Sequence, residues 1–233
     1  VLSAEAAPDV RLTISGSFAD GLSAGEDNLV LRAVRALAEA EGITAGIALT
    51  LEKNLPIAAG IGGGSADAAA ALRLAAQLWG LEPEAAMRVA AGIGADVPAC
   101  VLSQTCFGSG VGEQLEPVDI DLGGTPLLLV NPLKACPTGP VFKGWDGTDR
   151  GPLDVADWCN ARNDLGAPAL ALVPEIGDVL GVLGRQAGVS LSRMSGSGAT
   201  CFALFDTDAA RDAAALSIRS ERPEWWTLAS RLR

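Results

Sequence analysis

The chain has 233 residues, a formal net charge of −11, 28 glycines, five cysteines, and neither histidine nor tyrosine. This length suits one large domain or two smaller lobes with real cores, and an acidic balance with no basic run argues against a nucleic-acid surface. Lack of histidine excludes a Ser-His-Asp triad, an imidazole base and a histidine metal site, while no run reaches the ~18 apolar residues of a membrane span and no signal peptide is expected at Val1.

In chain order, a polar opening from Ser3 to Asp9 precedes VRLTIS at 10–15, which alternates like a strand. Leu29, Val30, Ala33, Val34, Leu37 and Ala38 fall at helical spacing within 28–41, and Gly42 closes that helix. GIALTL at 46–51 predicts a second strand. The glycine-rich stretch LPIAAGIGGGSADAAA at 55–70 then runs through Ser65 and Asp67 into an alanine-rich helix ending near Trp79 and Gly80.

Pro83 opens a helix over 84–91, and Asp96 stands where an N-cap would sit, with Pro98 in the following turn. A strand-rich stretch is expected over 100–115. PLLLV at 126–130 predicts a strand that starts a second half, with linkers at 121–125 and 144–152 and a lobe boundary near 124. Beyond it the pattern predicts a helix over 174–187, strands at 190–194 and 200–205 around a glycine-rich turn, and a helix over 208–220. That order suggests an antiparallel sheet with helices on one face, an α+β arrangement.

Glycine-rich turns also open helices for packing alone, yet Gly60, Gly62, Gly63 and Gly64 are more than a helix entrance requires. Glycines let successive backbone N–H groups turn inward, and the helix adds its unpaired donors and the positive end of its macrodipole. The ligand best suited is a phosphate chain. No lysine follows Gly64, so the loop is not Walker A; Ser65 in the last glycine slot and the interrupting Lys53-Asn54-Leu55-Pro56 exclude a Rossmann fingerprint.

Three further pieces carry candidate chemistry. Asp96 reads either as a helix cap or as a carboxylate that attracts the proton of an attacking alcohol. Arg193-Met194-Ser195-Gly196-Ser197-Gly198-Ala199-Thr200 reads as a tight hairpin or as a second backbone nest for phosphate oxygens. CPTGPVFK at 136–143 combines a hydroxyl, a rigid turn and an aromatic ring. Cys100, Cys106, Cys136, Cys159 and Cys201 form no C-x-x-C pair and are odd in number, so they are expected to be reduced, buried thiols of a cytosolic protein rather than metal ligands.

Taken together, EDNLVLRA at 26–33, the loop at 55–70, GADVPAC at 94–100, GVGEQLEPV at 110–118, CPTGPVF at 136–142, NDL at 163–165 and RMSGSGATCFALF at 193–205 resemble the GHMP kinase superfamily. Their order and spacing are closest to its branch that phosphorylates a cytidine diphosphate derivative of methylerythritol. The resemblance implies a two-lobed α+β fold: an ATP-binding lobe over 1–124 with a ribosomal-S5-like sheet and helices, incomplete at its start, and a second lobe over 125–233 with an antiparallel sheet. It implies ATP over Pro56, Ile57, Ala58, Ala59, Gly60, Ile61, Gly62, Gly63, Gly64, Ser65 and Ala66, with Lys53 and Asn28 near the nucleoside.

By the same resemblance, Asp96 matches the catalytic aspartate, and Thr138 and Phe142 match positions beside the cytidine diphosphate. Ser197 and Gly198 match the superfamily's third conserved loop. The implied reaction moves the ATP γ-phosphoryl to the 2-hydroxyl of the substrate, with Mg²⁺ as companion, in non-mevalonate isoprenoid precursor synthesis in the cytoplasm. The family's early strand with a catalytic lysine and its Asp-Gly-Tyr-His segment have no counterpart in this sequence. Gly166 stands where the family often has Glu, and Lys134-Ala135 replace a glycine-valine pair. Other readings stay open: a GHMP kinase for homoserine or a mevalonate derivative, or a catalytically dead nucleotide-binding relative.

Overall fold

The computed structural model describes residues 1–232. The chain forms two compact units, one of residues 1–57 and 62–119, the other of residues 58–61 together with the chain from 120 onward. The division falls at 119/120 where the sequence suggests 124, and the four residues 58–61, expected in the ATP-binding lobe, pack with the second unit.

In the first unit, β1 (Leu2–Ala7), β2 (Val10–Ser15) and β3 (Gly46–Glu52) form a sheet in the order β1-β3-β2. The polar opening is therefore a strand, paired antiparallel with β3. Leu2 and Ala4 lie on the core while Ser3 and Glu5 stay on the wet face, so a half-buried alternation was hidden by small residues. β2 pairs parallel with β3, which requires a crossover, and α1 (Leu29–Glu41) supplies it.

The helix ends are spelled out by their caps. Asn28 Oδ1 accepts from Val30 N at 2.9 Å, and Gly42 closes α1 with a left-handed φ of 65°. The helix α2 (Gly63–Leu78) buries Ala68, Ala71, Leu72 and Ala75, a mostly alanine stripe whose small side chains let α1 and the sheet approach closely. After α3 (Glu84–Ile93) comes α4 (Val97–Leu102), so 100–102 is helical rather than strand. Pro98 pre-sets the first turn of α4, and Ser103 in the left-handed region ends it. Only then does the expected β-structure begin, as a hairpin of β4 (Cys106–Ser109) and β5 (Gln114–Pro117).

The second unit has a four-stranded sheet in the order β7-β8-β6-β9, antiparallel throughout. Its strands are β6 (Pro126–Asn131), β7 (Val189–Met194), β8 (Cys201–Phe205) and β9 (Trp226–Arg231). Its helices are α5 (Thr138–Lys143), α6 (Gly166–Leu172), α7 (Glu175–Gly184) and α8 (Asp208–Glu221). The helix expected over 174–187 stops at Gly184, because the chain must turn through Gly188 at φ 75° to enter β7. Among the described residues no single helix is long and apolar enough to cross a membrane.

The cysteines correct one expectation. Cys136 and Cys201 are buried, Cys100 and Cys106 are half-buried, and Cys159 is exposed. Burial disfavours the thiolate, which pushes the Cys201 thiol up to about 12 and raises Cys136 as well. Since the thiolate is the nucleophile, a maleimide at neutral pH is expected to label Cys159 first and Cys201 only on unfolding. Peptide mapping by mass spectrometry tests this; equal early labelling of both thiols would contradict the burial of Cys201.

Candidate active site

The entrance of α2 is built from glycine for two different reasons. Gly62, at the N-cap, has φ 62° and no neighbour that a Cβ would strike, so its glycine answers to backbone conformation. Gly63 and Gly64 already lie inside the helix rather than in the preceding loop, with Lys53 Nζ and Leu29 Cδ1 each 3.3 Å from where their Cβ atoms would be. The first helical bond is Ala66 N to Gly62 O at 2.8 Å, and no side chain caps the helix. The amides of Gly63, Gly64 and Ser65 are thus open donors at the positive end of a 16-residue helix.

Lys53 follows β3 directly and is only 4% exposed. Its backbone is held at both ends, N donating to Ser15 O at 2.6 Å and O accepting from Phe18 N at 3.0 Å. Its ammonium is ion-paired with Asp67, one turn into α2. Asn28 has both ends of its amide engaged, since Nδ2 donates to Ser23 O at 2.6 Å while Oδ1 caps α1.

Asp96 occupies the N-cap position of α4 with α-helical backbone angles, φ −85° and ψ −9°, and its side chain caps nothing. Among the described residues its exposed carboxylate makes no hydrogen bond or ion pair, which removes the capping reading. A Cβ built on Gly112, in the turn of the β4–β5 hairpin, would lie 4.0 Å from Asp96 Oδ1. The Cys100 thiol is raised first by burial and next by the charge of Asp96, with Arg73 opposing and Asp67 adding a smaller push. Arg73 Nη1 donates to Cys100 O at 2.8 Å and ties α2 and α4 together.

The second unit holds the glycine-serine turn between β7 and β8. Ser195 N donates to Thr200 O and Gly198 N to Ser195 O, both at 2.9 Å, with Gly196 and Gly198 at positive φ. Residues 58–61 lie on this turn: Ser195 Oγ donates to Gly60 O at 2.8 Å and Thr200 N to Ala59 O at 3.1 Å. A Cβ on Gly60 would meet Gly198 O at 2.5 Å and Ser195 O at 2.6 Å. Thr138 Oγ1 and Ser197 Oγ are 3.1 Å apart, and the Cys136 thiol donates to Ser197 O at 3.3 Å. Phe142 is 57% exposed on α5.

Two asparagines outside the candidate site residues pin this turn from both sides. Asn163 Nδ2 donates to Met194 O at 3.2 Å and Gly196 O at 2.8 Å, while Asn131 Nδ2 donates to Thr200 Oγ1 at 2.8 Å. Asn163 was visible within NDL, whereas Asn131 ends an apolar strand and gave no signal. The first unit therefore holds Asn28, Lys53, Gly62 to Ala66 and Asp96, with Pro56 buried and Ile57 exposed before them. The second gathers Ala58 to Ile61, Thr138, Ser197 and Gly198.

Comparison with known proteins matches the model of the GHMP kinases N terminal domain to residues 28–104 and that of the GHMP kinases C terminal domain to residues 154–223. A 4-diphosphocytidyl-2-C-methyl-D-erythritol kinase of Rhizorhabdus wittichii is 52% identical over all of this chain and 82% of its own length. One from Novosphingobium aromaticivorans is also 52% identical, over all of this chain and 80% of its length. A crystal structure of 4-(cytidine 5'-diphospho)-2C-methyl-D-erythritol kinase superposes with a TM-score of 0.80 at 30% identity, covering 98% of this chain and 84% of that one. On identity across the whole chain and on fold, the chain belongs to the 4-diphosphocytidyl-2-C-methyl-D-erythritol kinase family of the GHMP kinases.

Proposed function

We propose that this protein transfers the γ-phosphoryl group of ATP to the 2-hydroxyl of 4-diphosphocytidyl-2-C-methyl-D-erythritol in non-mevalonate isoprenoid precursor synthesis. The observation that carries the reading is the 52% identity, over the whole chain, to kinases named for that substrate. The N-terminal lobe is read as the ATP lobe and the C-terminal lobe as the substrate-binding half. The unpaired thiols and the absence of disulfides among the described residues support a cytoplasmic setting.

ATP is assigned to residues 56–66, with the phosphates on the open amides of Gly63, Gly64 and Ser65. Thr138, Phe142, Ser197 and Gly198 are assigned to the cytidyl substrate. In the transfer, the 2-oxygen forms a bond to the γ-phosphorus while the bond from that phosphorus to the β–γ bridging oxygen breaks. The hydroxyl proton passes to the Asp96 carboxylate, and ADP leaves. The loose transition state of phosphoryl transfer makes little demand on the base, so an exposed carboxylate suffices.

Mg²⁺ fits this donor set in a limited way. No group of three metal-binding side chains exists among the described residues, and Mg²⁺ in such enzymes is held by phosphate oxygens, waters and one or two protein oxygens. The Ser65 hydroxyl, in the first turn of α2, is the group suited to it, the Asp67 carboxylate being paired with Lys53. When bound, the ion neutralises charge on the β- and γ-phosphate oxygens.

The test is an ATP-to-ADP assay with and without the cytidyl substrate, with the product followed by phosphorus NMR. Substrate-dependent ADP release with a new phosphomonoester signal is expected. Turnover with homoserine or mevalonate instead would move the protein to another GHMP branch, and ATP binding without any turnover would make it a non-catalytic nucleotide binder.

A further inference from the structure

The pair of Lys53 and Asp67 has a physical cost that the fold alone does not require. A lysine ammonium this deeply buried is unfavourable unless partnered. Asp67 Oδ2 takes one of its three protons and leaves the others for a second acceptor. The ammonium also lies against the first turn of α2, within 3.3 Å of where a Gly63 Cβ would sit. That is the positive end of the helix dipole, where a cation is disfavoured. The ammonium and the open amides thus set two positive elements side by side, an arrangement that is repulsive by itself and favourable once a multiply charged anion lies across them.

Asp67 has a further role in this arrangement. A lysine stem has four rotatable carbons and little directional preference of its own, so the carboxylate, fixed on a rigid helix, sets where the ammonium points. We propose that Asp67 is a positioning residue that aims Lys53 Nζ at the β- and γ-phosphates of ATP, so that Lys53 reads the phosphate chain rather than the nucleoside. This rests on the assignment of ATP to the entrance of α2. It also moves Lys53 away from the nucleoside side to which the family resemblance points.

The experiment measures dissociation constants of ATP, ADP and AMP by calorimetry for the full chain and for Asp67→Asn, Lys53→Met, Lys53→Arg and the Lys53→Met/Asp67→Asn double variant. Asp67→Asn is expected to weaken ATP about tenfold, the scale of one charge-assisted hydrogen bond, with AMP changed less than about twofold. Lys53→Met is expected to lose at least as much for ATP, and the double variant no more than Lys53→Met, since Asp67 acts through the lysine. A loss equal for ATP and AMP, or additive losses in the double variant, overturns the proposal. Should Lys53→Met fail to fold by thermal melting, Lys53→Arg decides. That substitution keeps the charge but changes its geometry, so several-fold weaker ATP with unchanged AMP supports the proposal and unchanged ATP overturns it. If the unaltered protein binds no ATP, the nucleotide assignment itself falls; if it binds ATP but the variants show no phosphate-dependent loss, only the role of Asp67 falls.

Discussion

Asp96→Asn is expected to lower turnover by about 10²–10⁴-fold, the usual worth of a positioned acid or base, while ATP affinity and melting temperature stay close to those of the unaltered protein. The separation of effects follows from the geometry. A working N-cap contributes ~0.5–2 kcal/mol, but Asp96 sits at the N-cap position with its side chain uncommitted, so its removal forfeits no cap. Asparagine has the same shape and keeps the site sterically intact; what it lacks is the carboxylate proposed to take the proton of the attacking hydroxyl. Steady-state kinetics, ATP calorimetry and a thermal melt on the same preparation check this. Unchanged turnover would remove Asp96 from the chemistry, and a large fall in melting temperature would return it to a structural role.

Gly60→Ala is expected to act through the fold instead. At φ 73° an L-residue carries strain of ~1–3 kcal/mol, and its methyl would overlap two carbonyl oxygens of the glycine-serine turn at 2.5 and 2.6 Å. Overpacking against backbone adds ~1–3 kcal/mol, so the combined loss is about 2–6 kcal/mol, or ~4–24 °C in melting temperature. ATP affinity is expected to fall at least tenfold with it, as the segment 58–61 leaves its seat on Ser195 and Thr200. Gly63→Ala supplies the contrast. Gly63 is helical, and the nearest atom to its added methyl is the mobile end of Lys53 at 3.3 Å. Alanine is the better helix former and Gly63 needs no left-handed angle, so this variant should melt no lower while binding ATP less tightly, because the methyl crowds the open amides. A Gly60→Ala protein as stable as the parent would show that the turn and the loop do not pack as described.

The elements with strong local signals were legible from residues alone. The strand at 10–15 and the helix ending at Gly42 follow from alternation, helical spacing and caps that act within a few residues. β1 and β9 were not legible, because the alanines of the first give its alternation little apolar contrast and the exposed Leu228 breaks that of the second. Each becomes a strand only because a neighbour with matching register lies beside it. α4 displaced an expected strand over 100–102 because the Pro98 turn, once started, runs on to Ser103.

The sequence by itself determined the chemistry available: a glycine run opening a helix, a carboxylate at Asp96, hydroxyls at Thr138 and Ser197, and motifs in an order that marks the family. It did so because dihedral freedom, side-chain type and spacing are local properties. The tertiary structure alone decided which of these groups are free and which are spent. It commits Asn28 to a cap, leaves Asp96 without a partner among the described residues, joins Lys53 to Asp67, and seats Gly60 against Ser195 and Gly198 across about 135 residues of chain. Those pairings depend on long-range packing, whose partners are set by the folded cores and are written in no single stretch of sequence.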